Sequence, residues 1–269
     1  MEMKHQQVKG SMEQSRVRQA GEKMIELLGL SASPVAVQLC QEKIAESSQV
    51  KHLSGHRYCQ AMMRARHGAT VWLDAEGISC PAAAAAFGFK DLPQALQTGK
   101  GLVGFGIVSD PEVGAKMFQN MSRLTPGTVK GLHLTPLEVC TFSPDVVIVE
   151  DEVEKLMWIV LAYLHATGGK RVPGNTAVLQ AACVDSTLIP YLEKRLNYGF
   201  SCYGCRDATD IQAGEALVGF SGDWLDAIRE HLEYLAEKAI PASRSKKAYQ
   251  ALLKEHPEIA ESSMKEKNP

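Results

Sequence analysis

Phe200-Ser201-Cys202-Tyr203-Gly204-Cys205-Arg206 sets two thiols about one helical turn apart, beside a glycine and a cation. Upstream, Ile78-Ser79-Cys80 has the same apolar–serine–cysteine order. The likeness spreads outward from both stretches. In the first half, residues 35–39 read as a strand, Cys59 opens a helix, residues 70–73 read as a strand and Cys80 follows. In the second, residues 146–149 read as a strand, Cys183 adjoins a helix, residues 196–200 read as a strand and Cys202 follows. Residues 101–107 are expected as the strand closing the first series and residues 216–220 the second, so that Leu102-Val103-Gly104-Phe105 answers Leu217-Val218-Gly219-Phe220. Such an echo predicts an α+β fold of two pseudo-repeated α/β halves that share one core or interface. A pseudo-twofold relation would bring Cys59, Cys80, Cys183 and Cys202 together between the halves.

The rest of the chain fits around that unit. An amphipathic helix is expected over residues 11–28, with Val17, Ala20, Met24, Leu27 and Leu28 on one face and Gly29 ending it. Cys80-Pro81 should start a helix, because proline suits the first turn. Further helices are expected over 60–66, 92–97, 153–166 and 185–193, with one from Asp110-Pro111 to about residue 121. Residues 129–137 read as a strand and residues 41–55 mainly as loop. A helix over 224–253, interrupted at Pro241, leads to a polar tail, 261–269, expected to fray. The organisation expected is thus an N-terminal helix (1–29), a cysteine-bearing domain (30–222, with halves 30–140 and 141–222) and a C-terminal helical extension (223–269).

Composition narrows the function. With 269 residues the chain can bury one large core or two smaller ones. A net charge of −2 gives no electrostatic footprint for nucleic acid. The opening Met1-Glu2-Met3-Lys4-His5 lacks the apolar run of a secretory signal, and no apolar stretch reaches the roughly 20 residues of a membrane span. The expectation is a cytoplasmic protein with no membrane or nucleic-acid partner. Seven cysteines there do not form a disulfide framework.

The thiols then point to metal or redox chemistry. Cys59, Cys80, Cys183 and Cys202 each stand where an element begins or ends, where free backbone N–H groups stabilise thiolates. Four is the protein ligand number of both zinc and cubane iron–sulfur centres. A structural zinc site usually offers two close Cys-x-x-Cys pairs, and this chain has one. Cys205 is open to three readings: a ligand in place of Cys59, an exchangeable ligand, or a free thiol. Arg57 and Arg206 are the cations placed to offset an anionic centre. The competing reading is a dithiol oxidoreductase at Cys202 and Cys205, against which stands the poor helix former Asp207-Ala208-Thr209-Asp210. Cys40 and Cys140, at strand ends, read as small buried hydrophobes.

Arg57-Tyr58-Cys59-Gln60-Ala61, Ile78-Ser79-Cys80-Pro81 with the alanines and Phe87-Gly88 after it, Ala182-Cys183-Val184-Asp185 and Cys202-Tyr203-Gly204-Cys205-Arg206 together resemble the family called domain of unknown function 169. Pro34-Val35-Ala36-Val37 adds to the likeness, which covers roughly residues 30–222. The family is largely uncharacterised and occurs mostly in anaerobic bacteria and archaea. The resemblance therefore favours an oxygen-sensitive iron–sulfur cluster, of the four-iron type, over zinc. In the family pattern the place of Cys205 is often serine, which implies Cys59, Cys80, Cys183 and Cys202 as the ligand set. Electron transfer with a redox partner protein, or a reductive reaction at the cluster, is the expected role. A structural-zinc interaction protein is the alternative, and a homo-oligomer is expected.

Overall fold

The computed structural model describes residues 2–44 and 47–259. Seven strands among them form one sheet: β1 (Val35–Cys40), β2 (Lys51–His52), β3 (Val71–Asp74), β4 (Gly131–Pro136), β5 (Val146–Glu152), β6 (Leu196–Gly199) and β7 (Glu215–Ser221). Their order is β2-β3-β4-β1-β5-β7-β6. All neighbours are antiparallel except the edge pair β2–β3. The central strands are buried on both faces, which is why Val146-Val147-Ile148-Val149 is apolar without alternation.

Helices cover both faces. They are α1 (Glu2–Leu28), α2 (Tyr58–Arg66), α3 (Pro81–Ala86), α4 (Gln94–Gln97), α5 (Lys100–Gly104), α6 (Pro111–Gln119), α7 (Val153–Ala166), α8 (Ile189–Glu193), α9 (Tyr203–Ala208), α10 (Leu225–Glu237), α11 (Ala239–Arg244) and α12 (Lys247–Glu255). A π-helical stretch, Ala181–Leu188, runs directly into α8. Val35, Val37, Leu73, Leu134, Ile148 and Leu217 face the core beneath α2, α3 and the π-helix. Ala36, Val147, Val149, Val218 and Phe220 face the core beneath α1, α7 and α10. The fold is a mixed α/β sandwich with helices on either side of the sheet. No helix among the described residues is long and apolar enough to cross a membrane.

Three expectations need correction. Residues 101–107 are not a strand: α5 occupies most of them, entered through Gly99 at φ +71° and left before Gly106 at φ +70°. Glycine tolerates these left-handed values, and they turn the chain into a helical hairpin with α6. The proposed counterpart Leu217-Val218-Gly219-Phe220 does lie in β7, so that part of the echo fails. In sheet order the first half runs from the centre outward as β1, β4, β3, β2 and the second as β5, β7, β6, so each sets its first strand at the centre and takes the rest in reverse order. This is a likeness of connectivity alone. The C-terminal segment breaks at Lys238 and again near Lys246, not at Pro241, which sits in the first turn of α11 where proline needs no N–H partner. The loop 41–55 contains the edge strand β2. Residues 261–269, expected to fray, lie outside the described residues.

The C-terminal segment is part of the core. Leu225, Ile228, Leu232 and Leu235 of α10 are buried beside α1 and α7, and Arg16 on α1 pairs with Asp226.

Candidate functional site

The site lies on the α2–α3 face of the sheet, where four segments meet. A parallel bridge between His56 and Ile78 holds the approaches to α2 and α3 side by side, with Ser79 N–H donating to the His56 carbonyl at 2.9 Å. Tyr58 and Thr187 share a buried hydroxyl–hydroxyl bond of 2.8 Å that ties α2 to the π-helix. Arg57 Nη1 donates to the Gly204 carbonyl at 2.6 Å and Gln60 Nε2 to the Ala208 carbonyl at 3.2 Å, fastening α2 to α9. At its other end α2 is anchored by buried Arg66, 2.8 Å from Glu150 on β5 and 3.0 Å from Asp210. Thus α2 is the hub from which the other three segments are positioned.

That arrangement brings Cys59, Cys80, Cys183, Cys202 and Cys205 onto the wall of one cavity of about 310 Å³. Cys59 is in the first turn of α2, and Cys80 and Cys202 are the N-cap residues of α3 and α9. Cys205 N–H donates to Cys202 Sγ at 3.3 Å, and the two sulfurs stand 3.0 Å apart. Cys183 is carried by the π-helix, a form that recurs at functional sites. Alanines 83–86 are buried, and their small side chains let α3 lie close to that helix. Cys40 and Cys140 lie off this wall, as does Arg206, whose guanidinium donates to the carbonyls of Phe200, Gln212 and Glu215. Arg57 is on the wall.

The backbone here is strained. Of five non-glycine residues in the left-handed region among those described, Val178, Gln180 and Ser201 flank the segments bearing Cys183 and Cys202. For β-branched Val178 at φ +58° the cost is of order 1–3 kcal/mol. Such strain persists only where the surroundings fix it, and it gathers at functional sites.

Burial and the nearness of the other sulfurs raise the pKa values of Cys80, Cys183, Cys202 and Cys205. Burial, then the neighbouring Cys80, Cys205 and Cys202 sulfurs, pushes the Cys183 thiol far up. Cys202 is raised by its hydrogen bond with Cys205 and by burial. For Cys205 the bond with Cys202 lowers the value, but the bond with Cys59 and burial outweigh it, to about 12. Burial also raises Cys80, opposed by the Ala83 and Ala82 amides and by the Arg57 charge. A centre that supplies positive charge removes this repulsion, and its binding would release protons.

Whether the residues fit a metal depends on which kind. Among the described residues, no three His, Cys, Asp or Glu side chains are grouped as a single metal ion requires. A lone zinc ion needs its sulfurs about 2.3 Å from one point. An iron–sulfur cluster brings its own irons and sulfides and takes thiolates from around the wall of a larger space; here five cysteines line one cavity.

The Arg66–Glu150 pair also has a pH consequence. Burial lifts Glu150 to about 7 despite Arg66 beside it, with Asp210 and Glu215 adding to the rise and His67 opposing it. A carboxyl raised in the folded state contributes stability that is full below its unfolded value and lost as pH climbs through the folded one. Stability is therefore expected to fall between about pH 4.5 and 7, by at most about 3 kcal/mol from this group. Urea unfolding midpoints across that range should show the slope, and Glu150→Gln should flatten it.

Residues 23–231 match the family of domain of unknown function 169, DUF169, described as an uncharacterised ArCR family. The match takes in every element that meets at the cavity. The uncharacterized protein MJ0308 of Methanocaldococcus jannaschii is 26% identical over 229 residues, which cover 84% of this chain and 97% of that protein. No solved structure matches.

Proposed function

This chain belongs to the DUF169 family, and from that premise we propose that it is an iron–sulfur protein holding a four-iron cluster on Cys59, Cys80, Cys183 and Cys202. The observation that supports the reading is the delivery of five thiols, from four segments far apart in sequence, to one cavity wall. When bound, such a cluster supplies one-electron transfer. The chain's own part is to shield the thiolates and to offset some of the penalty that burial puts on them. Arg57 and the Ala82 and Ala83 amides stabilise the anion at Cys80, and Cys205 N–H does the same at Cys202. Apolar residues of α4–α6 line the rest of the cavity. Electron exchange with a redox partner protein, or reduction of a substrate at the cluster, in a reducing cytoplasmic setting, is the activity that follows.

A second reading is favoured by one distance. The 3.0 Å separation of the Cys202 and Cys205 sulfurs suits a dithiol that cycles to a disulfide.

Anaerobic purification with iron, sulfide and zinc analysis and an absorption spectrum tests the proposal. About four iron and four sulfide per chain are expected. Zinc without iron would sink it in favour of a structural-zinc protein. A metal-free protein with a reversible Cys202–Cys205 disulfide, mapped by alkylation, would sink it in favour of the dithiol.

A further inference from the structure

Beyond the thiols, much of the cavity lining is apolar and comes from a part of the chain that carries no cysteine. Leu96 of α4, Leu102 of α5, Phe118 of α6 and, between those last two helices, Phe105 and Ile107 line it. Phe105 lines the cavity yet is 69% exposed, a large ring left bare at the mouth of an apolar space. Tyr203, on the thiol side of the same cavity, is 65% exposed. Shielding of a cluster alone would bury such rings, not leave two of them open to water. At the same rim, Arg57 engages only its Nη1, with the Gly204 carbonyl and, 3.7 Å away, Asp207. Its Nε and Nη2 make no hydrogen bond among the described residues. A cavity of about 310 Å³ that is mainly apolar, with one guanidinium holding spare donors, has the make-up of a small-molecule pocket.

We infer that the cavity is a ligand site for a small organic acid with a ring-sized apolar body. The body lies against Leu102, Phe105 and Phe118, and the carboxylate meets the free edge of Arg57, the planar fork that such anions prefer. The inference deepens the cluster reading and rests on it for any reaction, because the ligand would lie beside the thiols. Binding itself needs no cluster.

Calorimetric titration with 2-naphthoate, and with its uncharged analogue naphthalene-2-carboxamide, tests it on the full chain. Iron is assayed on every sample. The acid should bind saturably at one site, and the amide about tenfold or more weaker. Phe105→Ser, a surface change that leaves folding intact, and Arg57→Met should each weaken the acid by about tenfold or more. Arg57→Lys should restore part of the loss, and Val103→Ser, off the cavity wall, should change nothing. Absence of saturable binding at millimolar concentration, or binding unaltered in both variants, overturns the inference. Loss in only one of the two overturns the pairing of ring wall and guanidinium. Binding by an iron-free protein would support the ligand site while the cluster reading fell, and an iron-loaded protein that binds neither compound would do the reverse.

Discussion

Gly219→Val is expected to leave no folded protein. Gly219 lies in β7, which is hydrogen-bonded on both sides, opposite Ile148 of β5 and Asn197 of β6. A Cβ at this position would stand 1.8 Å from the Ser186 carbonyl oxygen and 2.6 Å from its carbon. Both are backbone atoms of the π-helix, so no rotamer change relieves the clash. Strand β7 cannot retreat without breaking two ladders, and the π-helix cannot rise without losing the Tyr58–Thr187 bond and moving Cys183. The cost should exceed about 4 kcal/mol, a large share of a domain's whole stability. Soluble yield and circular dichroism check the valine variant, and urea unfolding of the milder Gly219→Ala gives a number. A Gly219→Val protein as stable as the parent would mean that the π-helix does not lie on β7.

Cys183→Ser, purified anaerobically, is expected to lose its bound iron by more than about tenfold, since even outer-shell changes cost metal sites that much. Cys183 is the buried thiol whose pKa is raised by burial and then by three neighbouring sulfurs, so its replacement removes the proposed ligand least open to substitution by water. Serine there also leaves a hydroxyl that water cannot reach. Cys59→Ser, Cys80→Ser and Cys202→Ser should behave alike, while Cys40→Ser, off the cavity wall, should keep full iron. Cys205→Ser discriminates within the set. It lies between Cys59 and Cys202 in the structure, yet the proposed ligand set omits it, so it should retain the cluster. Loss of iron in Cys205→Ser together with its retention in Cys59→Ser would exchange the two.

The sequence disclosed the thiols more readily than the chain path between them. Strands such as β1, β5 and β7 were legible because their apolar runs are largely buried on both faces, and Cys80-Pro81 announced a helix start. Residues 101–107 misled because alternating glycine and apolar residues suit a strand as well as a tight helical hairpin. What separates the two is the left-handed backbone at Gly99 and Gly106, and at Gly99 also the close packing against α6: a Cβ there would stand 1.9 Å from the Pro111 carbonyl oxygen. The edge strand β2 is two exposed residues held by β3, with no apolar pattern to reveal it. The π-helix at 181–188 has no pattern of its own either; it lies on the sheet and is entered through Gln180 at φ +57°. At the site, the five cysteines and Arg57 could be named from residue type and spacing. The rest of the apolar lining could not, because α4–α6 reach the cavity only through tertiary packing. Arg206 looked like a cation for the centre, but its donors are spent on three carbonyls that stitch the turn after β6 to β7.

The spread of the thiols along the chain also has a consequence during synthesis. Cys59 and Cys80 leave the ribosome well before Cys183 and Cys205, by on the order of ten seconds at ordinary elongation rates. Strands β1, β3, β4 and β5 can pair in that interval, but β6 and β7 cannot, so the cavity stays open on one side. The early thiols must wait, reduced and unpartnered, for the last third of the polypeptide. Any centre they hold is therefore assembled only once the late thiols have been made, and loading it locks the first-made strands to the last-made ones.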